Sequence, residues 1–402
     1  MSELLQNSSR DVYEEELDVH FQDGTQRTCS PKETLSYIES RLPLCGITRA
    51  ADITKLDNIG IPTYCAIRPT AKILQVSNGK GSTNESAKVS ALMESVELFH
   101  VENSEPYKLQ YKAAVEFSEN ELILDHRSLP SFSNAVYYTD KLKINWCNAL
   151  NVTSGETVWI PASAIFFDQQ QSIHRATTNG LASGNHLIEA SLHALYELIE
   201  RDSASRISVN GLIKLKGKTE VVDIASVEDP IVSNQLKKMG ADSKVLLIYI
   251  KSPINVYTFW SVLLNRSAMN SLSSLNIGWG CHRDKSVAAS RAITEAAQSR
   301  LTSIHGARED IMVKAGYQNS NIHKSQAYVF MDSLEPTIKW AKLPKHQQST
   351  SNNLSEDWSY LLSELTRCGY KDIYQFDLTR SDIDIPVVKM LVPNLKFNQK
   401  LF

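Results

Sequence analysis

Three stretches of this chain repeat their apolar residues every three or four positions, the spacing of a helix with one face in a core. They predict helices over about 84–102, 186–205 and 285–304. Val89, Leu92, Met93, Val96 and Phe99 mark the buried face of the first; Ile188, Leu192, Leu195 and Ile199 mark that of the second. Between them lie runs of strand character: "YCAIRP", "KILQVS", "TVWIPASAIFF" and "VLLIYIKSPINVYTFWSVLL". Ser30-Pro31 is a good cap and first-turn pair for a further helix reaching about Arg41, and short strands are predicted around the Asp23-Gly24 turn within 11–28. The polar run "KHQQSTSNNLSED" (345–357) reads as an exposed loop, followed by a helix (355–368) and the strands "DIYQFDL" and "IPVVKMLV". No short repeat and no regular βαβ rhythm is visible. The pattern therefore predicts an α+β fold, mixed sheets packed by long helices.

Composition narrows the function. The chain has 402 residues, 42% hydrophobic and 22% charged, enough for one large domain or two ordinary ones. A net charge of −3, with no basic run or aromatic-basic stripe, argues against nucleic acid. The start is acidic and lacks an apolar core, unlike a signal peptide, and the longest apolar run, "VLLIYI" (245–250), is too short to span a bilayer. Six cysteines (29, 45, 65, 147, 281, 368) are scattered without a C-x-x-C, which argues against zinc and disulfides and suits a reducing cytoplasm.

The polar sides of the helices carry the chemistry. In the first, Ser90, Glu94 and Glu97 fall at i, i+4 and i+7, and neither glutamate has a Lys or Arg three or four residues away. That is either a solvated acidic face or a pair of oxygen ligands for a hard cation. The second helix favours the ligands. Glu189 and Glu200 point the same way, with Glu197 about 60–80° round the axis, and the first two are roughly 16 Å apart along it. One ion cannot touch both, so this wall of glutamates suits several Mg²⁺ ions strung along a polyphosphate. Small residues precede both helices, "SNGKGST" and "TNGLASG", as if the two were halves of one site. On the third helix Arg291, Glu295, Gln298 and Thr302 share a line. This is either a surface Arg–Glu pair or, beside phosphates, an arginine clamp.

"SNGKGSTNES" (77–86) has the letters of a phosphate-binding loop but not their order. Leu74 sits where the first glycine belongs, and Gly81 separates Lys80 from Ser82. The Walker reading fails. The segments "SNGKGSTNESAKVSALMESVE", "TNGLASGNHLIEASLHALYELIERDS" and "GCHRDKSVAASRAITEAAQSR" resemble the three signatures of the YcaO superfamily, in order, between about Arg27 and Asp310. The resemblance implies a YcaO-type fold that binds ATP through glutamate-held Mg²⁺. By motif position it makes Glu94, Glu97, Glu189, Glu197 and Glu200 the metal ligands. It brings Ser90, Asn185, Arg201 and Arg291 to the nucleotide, with Lys80 close by. The family's N-terminal basic residue and hydroxyl, seven apart, fall on Arg27 and Thr34. Glu200 and Arg291 become the catalytic pair.

The resemblance also implies one catalytic unit over 1–402: an N-terminal segment (1–45) contributing to the nucleotide site, a core (60–320) with the signature helices, and a C-terminal α/β segment (321–402). "GITRAADITKLDNIGIPTYCAIRP" (46–69) and "LTSIHGARED" (301–310) look more specifically like the TfuA-associated branch. There a YcaO protein and a TfuA partner turn a peptide backbone amide into a thioamide. The implied substrate is a precursor peptide or protein, and the implied assembly a homodimer. Azoline formation on Cys, Ser or Thr is the alternative within the class, and a non-catalytic peptide scaffold the alternative outside it. Many azoline-forming members end in a proline-rich tail; here the last proline is Pro393 in "VPNLKFNQKLF". Other residues read blandly: Cys281 as a buried structural cysteine in place of a thiol–imidazole pair with His282, His193 as a neighbour of the glutamates or a packed histidine, Trp260 and Trp279 as core. Arg308, Glu309 and Asp310 form either a local ion-pair turn or part of the site.

Overall fold

The structure is a computed structural model that describes residues 17–132, 138–209, 212–265, 274–308, 326–346 and 352–398. Expectations for 11–16, 347–351, Glu309 and Asp310 lie outside those residues. The described elements begin with α1 (Pro31–Ile38), β1 (Arg49–Asp52), β2 (Thr63–Ile67), β3 (Val76–Lys80) and α2 (Asn84–Val101). There follow β4 (Gln110–Ala113), β5 (Lys143–Asn151), β6 (Thr157–Pro161), β7 (Leu181–Ser183) and α3 (Leu187–Ile207). The next are β8 (Ser208–Val209), β9 (Leu212–Ile213), β10 (Thr219–Asp223), α4 (Pro230–Gly240), β11 (Lys244–Ile250), β12 (Tyr257–Leu264) and β13 (Leu275–His282). The last are α5 (Lys285–His305), α6 (Gln326–Asp332), β14 (Ile338–Lys339), α7 (Leu354–Arg367), β15 (Tyr374–Asp377) and β16 (Val387–Leu391).

The three long helices lie within about two residues of their predicted bounds. Their ends have local causes. Asp284 accepts from the N–H groups of Ser286 and Val287 to start α5, and Gly306, at φ 63°, ends it in the left-handed conformation. The predicted start of α1 is a full capping box: Glu33 N–H donates to Ser30 Oγ, and Ser30 N–H to Glu33 Oε2. The helix stops at Ile38, short of Arg41, and a 3₁₀ turn follows at Leu42–Cys45. At the Asp23-Gly24 turn, Phe21 and Arg27 form an isolated antiparallel bridge.

The residues group into two compact units that interleave along the chain. Val19–Ser95 and Arg206–Asn352 form one; Val96–Ser205 and the stretches before Val19 and from Asn353 form the other. The first holds the antiparallel sheet β1-β2-β3 and a five-stranded sheet ordered β13-β12-β11-β10-β14, antiparallel except at β10–β14. Its core joins Val245, Leu247, Tyr249, Phe259 and Leu263 of the sheet to Ala288, Ala292 and Ala296 of α5. Alanine on the helix and glycine on the strand bring the two backbones together: a Cβ at Gly280 would collide with the Ala288 carbonyl. Trp260 and Trp279 stack at 4.9 Å between centroids and are 3% exposed, as expected of core residues. The other unit holds a sheet ordered β4-β5-β15-β16-β7, with β6 paired to β5.

The small-residue segments before the first two long helices need correcting: each contains a strand, β7 (Leu181–Ser183) within "TNGLASG" and β3 at "SNGK". "KILQVS" is strand only from Val76, and "SNGK", expected as loop, is strand β3, its Lys80 paired with Thr63 of β2. The reason is packing. A Cβ on Gly79 would run into the backbone of Ala91, so glycine lets β3 lie directly against α2. The same arrangement recurs under α5, and it gives a test. Gly280→Ala should lower unfolding stability by more than about 2 kcal/mol, because the added methyl meets backbone that cannot rotate away. Denaturant unfolding with an unchanged midpoint would contradict this packing.

Candidate functional site

Each of the three long helices has a stretch that is buried except along one line. From Ala91 to Val101, only Glu94, Glu97 and Phe99 of α2 are half-exposed. Between Ile188 and Ser205 of α3, only His193, Glu197 and Arg201 are, at four-residue spacing. Between Val287 and Gln298 of α5, only Arg291, Glu295 and Gln298 are. A surface helix shows a broad polar face to water, whereas a buried one is apolar all round. Within those stretches the half-exposed positions form one line per helix, polar apart from Phe99. Ser90 continues the α2 line, also half-exposed.

Glu189 and Glu200, 3% exposed each, lie inside. Burying a carboxylate is costly unless it is bonded. Glu189 Oε1 accepts from the Asn185 backbone N–H (3.2 Å) and from Asn185 Nδ2 (3.1 Å). Glu200 Oε1 lies 3.6 Å from Arg201 Nη2, and Glu197 Oε1 lies 4.0 Å from Arg201 Nε. Arg201 thus joins two of the predicted ligands. Glu97 Oε1 accepts from the Ser183 N–H (2.8 Å) and hydroxyl (2.6 Å), at the end of β7. Phe99, predicted as core, is half-exposed and has the Arg380 guanidinium 5.3 Å above its ring.

The remaining predicted residues belong to the unit containing β3 and α5. Lys80 Nζ reaches Glu295 Oε2 at 2.8 Å, and Glu295 Oε1 accepts the Trp279 N–H of β13 at 3.3 Å. Further along the same line, Gln298 Nε2 donates to the Asn78 carbonyl (2.7 Å) and Asn78 Nδ2 to Thr302 Oγ1 (2.7 Å). Three of the four positions on the α5 line thus tie the helix to β3; Arg291 stands beyond them. Glu94 lies 3.8 Å from Arg308 Nη1, so of the two readings for Arg308 the structure shows reach toward a predicted ligand. Thr34 is buried and its hydroxyl donates to the Ser30 carbonyl (3.1 Å), as an ordinary first-turn residue does.

His282 reports on the charge around Arg27 and Arg291. Burial first, then the positive charges of Arg291, Arg27 and Arg283, push its imidazole down to about 3. Its Nδ1 accepts the Asp284 N–H at 2.9 Å, and Cys281 is fully buried. Three guanidiniums thus bear on one neutral imidazole, a concentration of positive charge of the kind that suits phosphate oxygens. Among the described residues, no group of three His, Cys, Asp or Glu side chains forms a metal shell. Mg²⁺ is a hard cation that proteins hold by one or two carboxylates together with substrate phosphates, and carboxylates are what α2 and α3 offer. The donor set is all carboxylate oxygen, and the buried Asn179 Oδ1 beside β7 has no hydrogen-bond partner.

Five residues escaped the sequence reading of the site: Ser183, Arg283, Glu295 as a bridge, Arg308 as a partner of Glu94, and Lys389. Only Lys389 had a clear signal, a lone charge within the apolar run "IPVVKMLV".

The chain matches the model of the YcaO family, described as YcaO cyclodehydratase, ATP- and Mg²⁺-binding, over residues 78–396. It belongs to that family. An uncharacterized protein of Methanothermobacter thermautotrophicus is 35% identical over 381 residues, covering 91% of this chain and 94% of the relative. An uncharacterized protein in the tfuA 3′ region of Rhizobium leguminosarum bv. trifolii is 29% identical, covering 93% and 89%. The structure of YcaO from Methanopyrus kandleri, bound with AMPPCP and Mg²⁺, has the same fold: its TM-score is 0.74 at 22% identity, with 94% of each chain covered. No helix among the described residues is long and apolar enough to cross a membrane.

The state of His282 sets a pH dependence. The unfolded imidazole takes up a proton near pH 6.5 and the folded one only near 3. Between those values the unfolded chain binds more protons, so stability rises with pH. Lowering pH from 7.5 to 5 should cost on the order of 2 kcal/mol through this residue. His282→Gln should show a correspondingly shallower loss in thermal melts; equal slopes in both proteins would contradict the neutral assignment.

Proposed function

We propose that this chain uses ATP and Mg²⁺ to activate the backbone amide of a precursor peptide or protein, and that with a TfuA-type partner the product is a thioamide. The observation that supports the reading is the line of half-exposed polar residues on each of α2, α3 and α5, together with the buried carboxylates of Glu189 and Glu200 on α3. Glu94, Glu97, Glu189, Glu197 and Glu200 would hold the metal, and Arg27, Thr34, Lys80, Ser90, Asn185, Arg201 and Arg291 would meet the nucleotide. Mg²⁺ supplies, when bound, the positive charge that neutralises the phosphates. Glu200 and Arg291 orient the transferring group; no protein nucleophile is required.

In the reaction the amide oxygen attacks the γ-phosphorus, the bond to the β-phosphate oxygen breaks, and ADP leaves. A sulfide equivalent then adds to the activated carbon, and phosphate departs with the former carbonyl oxygen. Oxygen is a poor leaving group from an amide, and phosphorylation converts it to a good one. The relative lying in a tfuA 3′ region supports the TfuA partnership. The family's description as cyclodehydratase supports the second reading, in which a Cys, Ser or Thr side chain is the nucleophile and an azoline results. A peptide-presenting scaffold has no use for five retained carboxylates. We further propose a homodimer, acting in the cytoplasm.

Two measurements test this. Incubation with ATP, a candidate peptide, sulfide and a TfuA partner should give the mass change of oxygen-for-sulfur exchange. Loss of one water would establish the azoline reading, and no ATP turnover in any combination would establish the scaffold. Glu200→Gln should abolish Mg²⁺-dependent nucleotide binding by calorimetry while preserving the circular dichroism spectrum. Retained affinity would refute the residue assignment.

A further inference from the structure

Lys389 lies on β16, and its side chain is entirely buried. A methionine there would pack the strand without the desolvation that a buried ammonium incurs, so stability alone does not account for the lysine. The ammonium has three donors, and the hydrogen bond it makes is to the Thr177 carbonyl at 2.6 Å. Burial lowers its pKa to about 8, opposed by the negative charge of Glu197. The carbonyl it grips belongs to the segment that leads into β7 and α3. β16 holds that segment elsewhere too: Met390 N–H donates to the Gly180 carbonyl (2.8 Å), and Lys389 pairs with Leu181 and Val387 with Ser183 across the ladder. Gly180 has φ 78°, and a Cβ on it would collide with the Met390 carbonyl. At the end of the segment, Ser183 delivers both of its donors to Glu97.

We propose that Lys389 is a positioning residue for Mg²⁺–ATP: its ammonium anchors the Thr177 carbonyl, so that the 177–183 segment presents Ser183 to Glu97. The inference rests on the ATP- and Mg²⁺-dependent reading above and adds a residue outside the three signature segments. It predicts a separation of stability from binding that a packing role would not produce. Lys389→Met should melt at or above the wild-type temperature, yet require about tenfold more Mg²⁺ for half-maximal AMPPCP binding, the loss expected when the support of a metal ligand is removed. Lys389→Gln keeps a donor for Thr177 but not the charge. It provides a second neutral variant should Lys389→Met fail to fold, and it should be impaired less than Lys389→Met, because the anchor to Thr177 is kept and only the charge is lost. Calorimetry of full-length proteins over a Mg²⁺ series decides it. A folded variant with wild-type Mg²⁺ requirement overturns the proposal while leaving the ATP reading intact. Unfolding of both variants overturns it by making Lys389 structural. A wild-type protein that binds no Mg²⁺–AMPPCP overturns the ATP reading itself, and this inference with it.

Discussion

Carboxylates and guanidiniums are expensive to remove from water, and the arrangement of this protein follows from doing so on purpose. Glu189 and Glu200 sit in the interior of a helix whose neighbours are sealed, and each is held by a partner close in sequence, Asn185 for one and Arg201 for the other. A fold selected only for stability would fill such positions with leucine. Their retention makes sense if a cation and a polyanion complete the set, because like charges then become ligands.

α2 and α5 pack closely because the strands beside them lack side chains at the right places. Gly79 admits Ala91, and Gly280 admits Ala288. Close backbone approach at these two points buries the strand-facing side of α2 and of α5. Packing and chemistry are therefore linked: the small residues near these signature helices serve helix–strand contact first. Fixed side chains such as Glu295, bonded to both Lys80 and the Trp279 N–H, keep the α5 line from collapsing onto itself.

Much of this was legible in the chain. Period and capping residues located the long helices, because apolar spacing and Asp or Ser caps are local properties. The α5 line of Arg291, Glu295, Gln298 and Thr302 also emerged from spacing alone, although what three of those residues do with β3 did not. Hydrogen bonds such as Gln298 to the Asn78 carbonyl join residues more than two hundred apart and leave no periodic trace. "SNGK" misled for a related reason: its composition is that of a loop, and tertiary packing against α2 makes it a strand. Arg308 lies near Glu94, more than two hundred residues away, a proximity that leaves no trace in the sequence. Family resemblance supplied the metal and nucleotide roles, which periodicity by itself could not have distinguished from a solvated acidic face.

Metal-dependent recognition of a triphosphate, by side chains that no Walker loop presents, is the central claim. Titrating AMPPCP into the wild-type protein with and without Mg²⁺ addresses it directly. Saturable heat at one site per chain is expected only when Mg²⁺ is present. Equal binding after complete chelation of divalent ions, or no binding in either case, would contradict it.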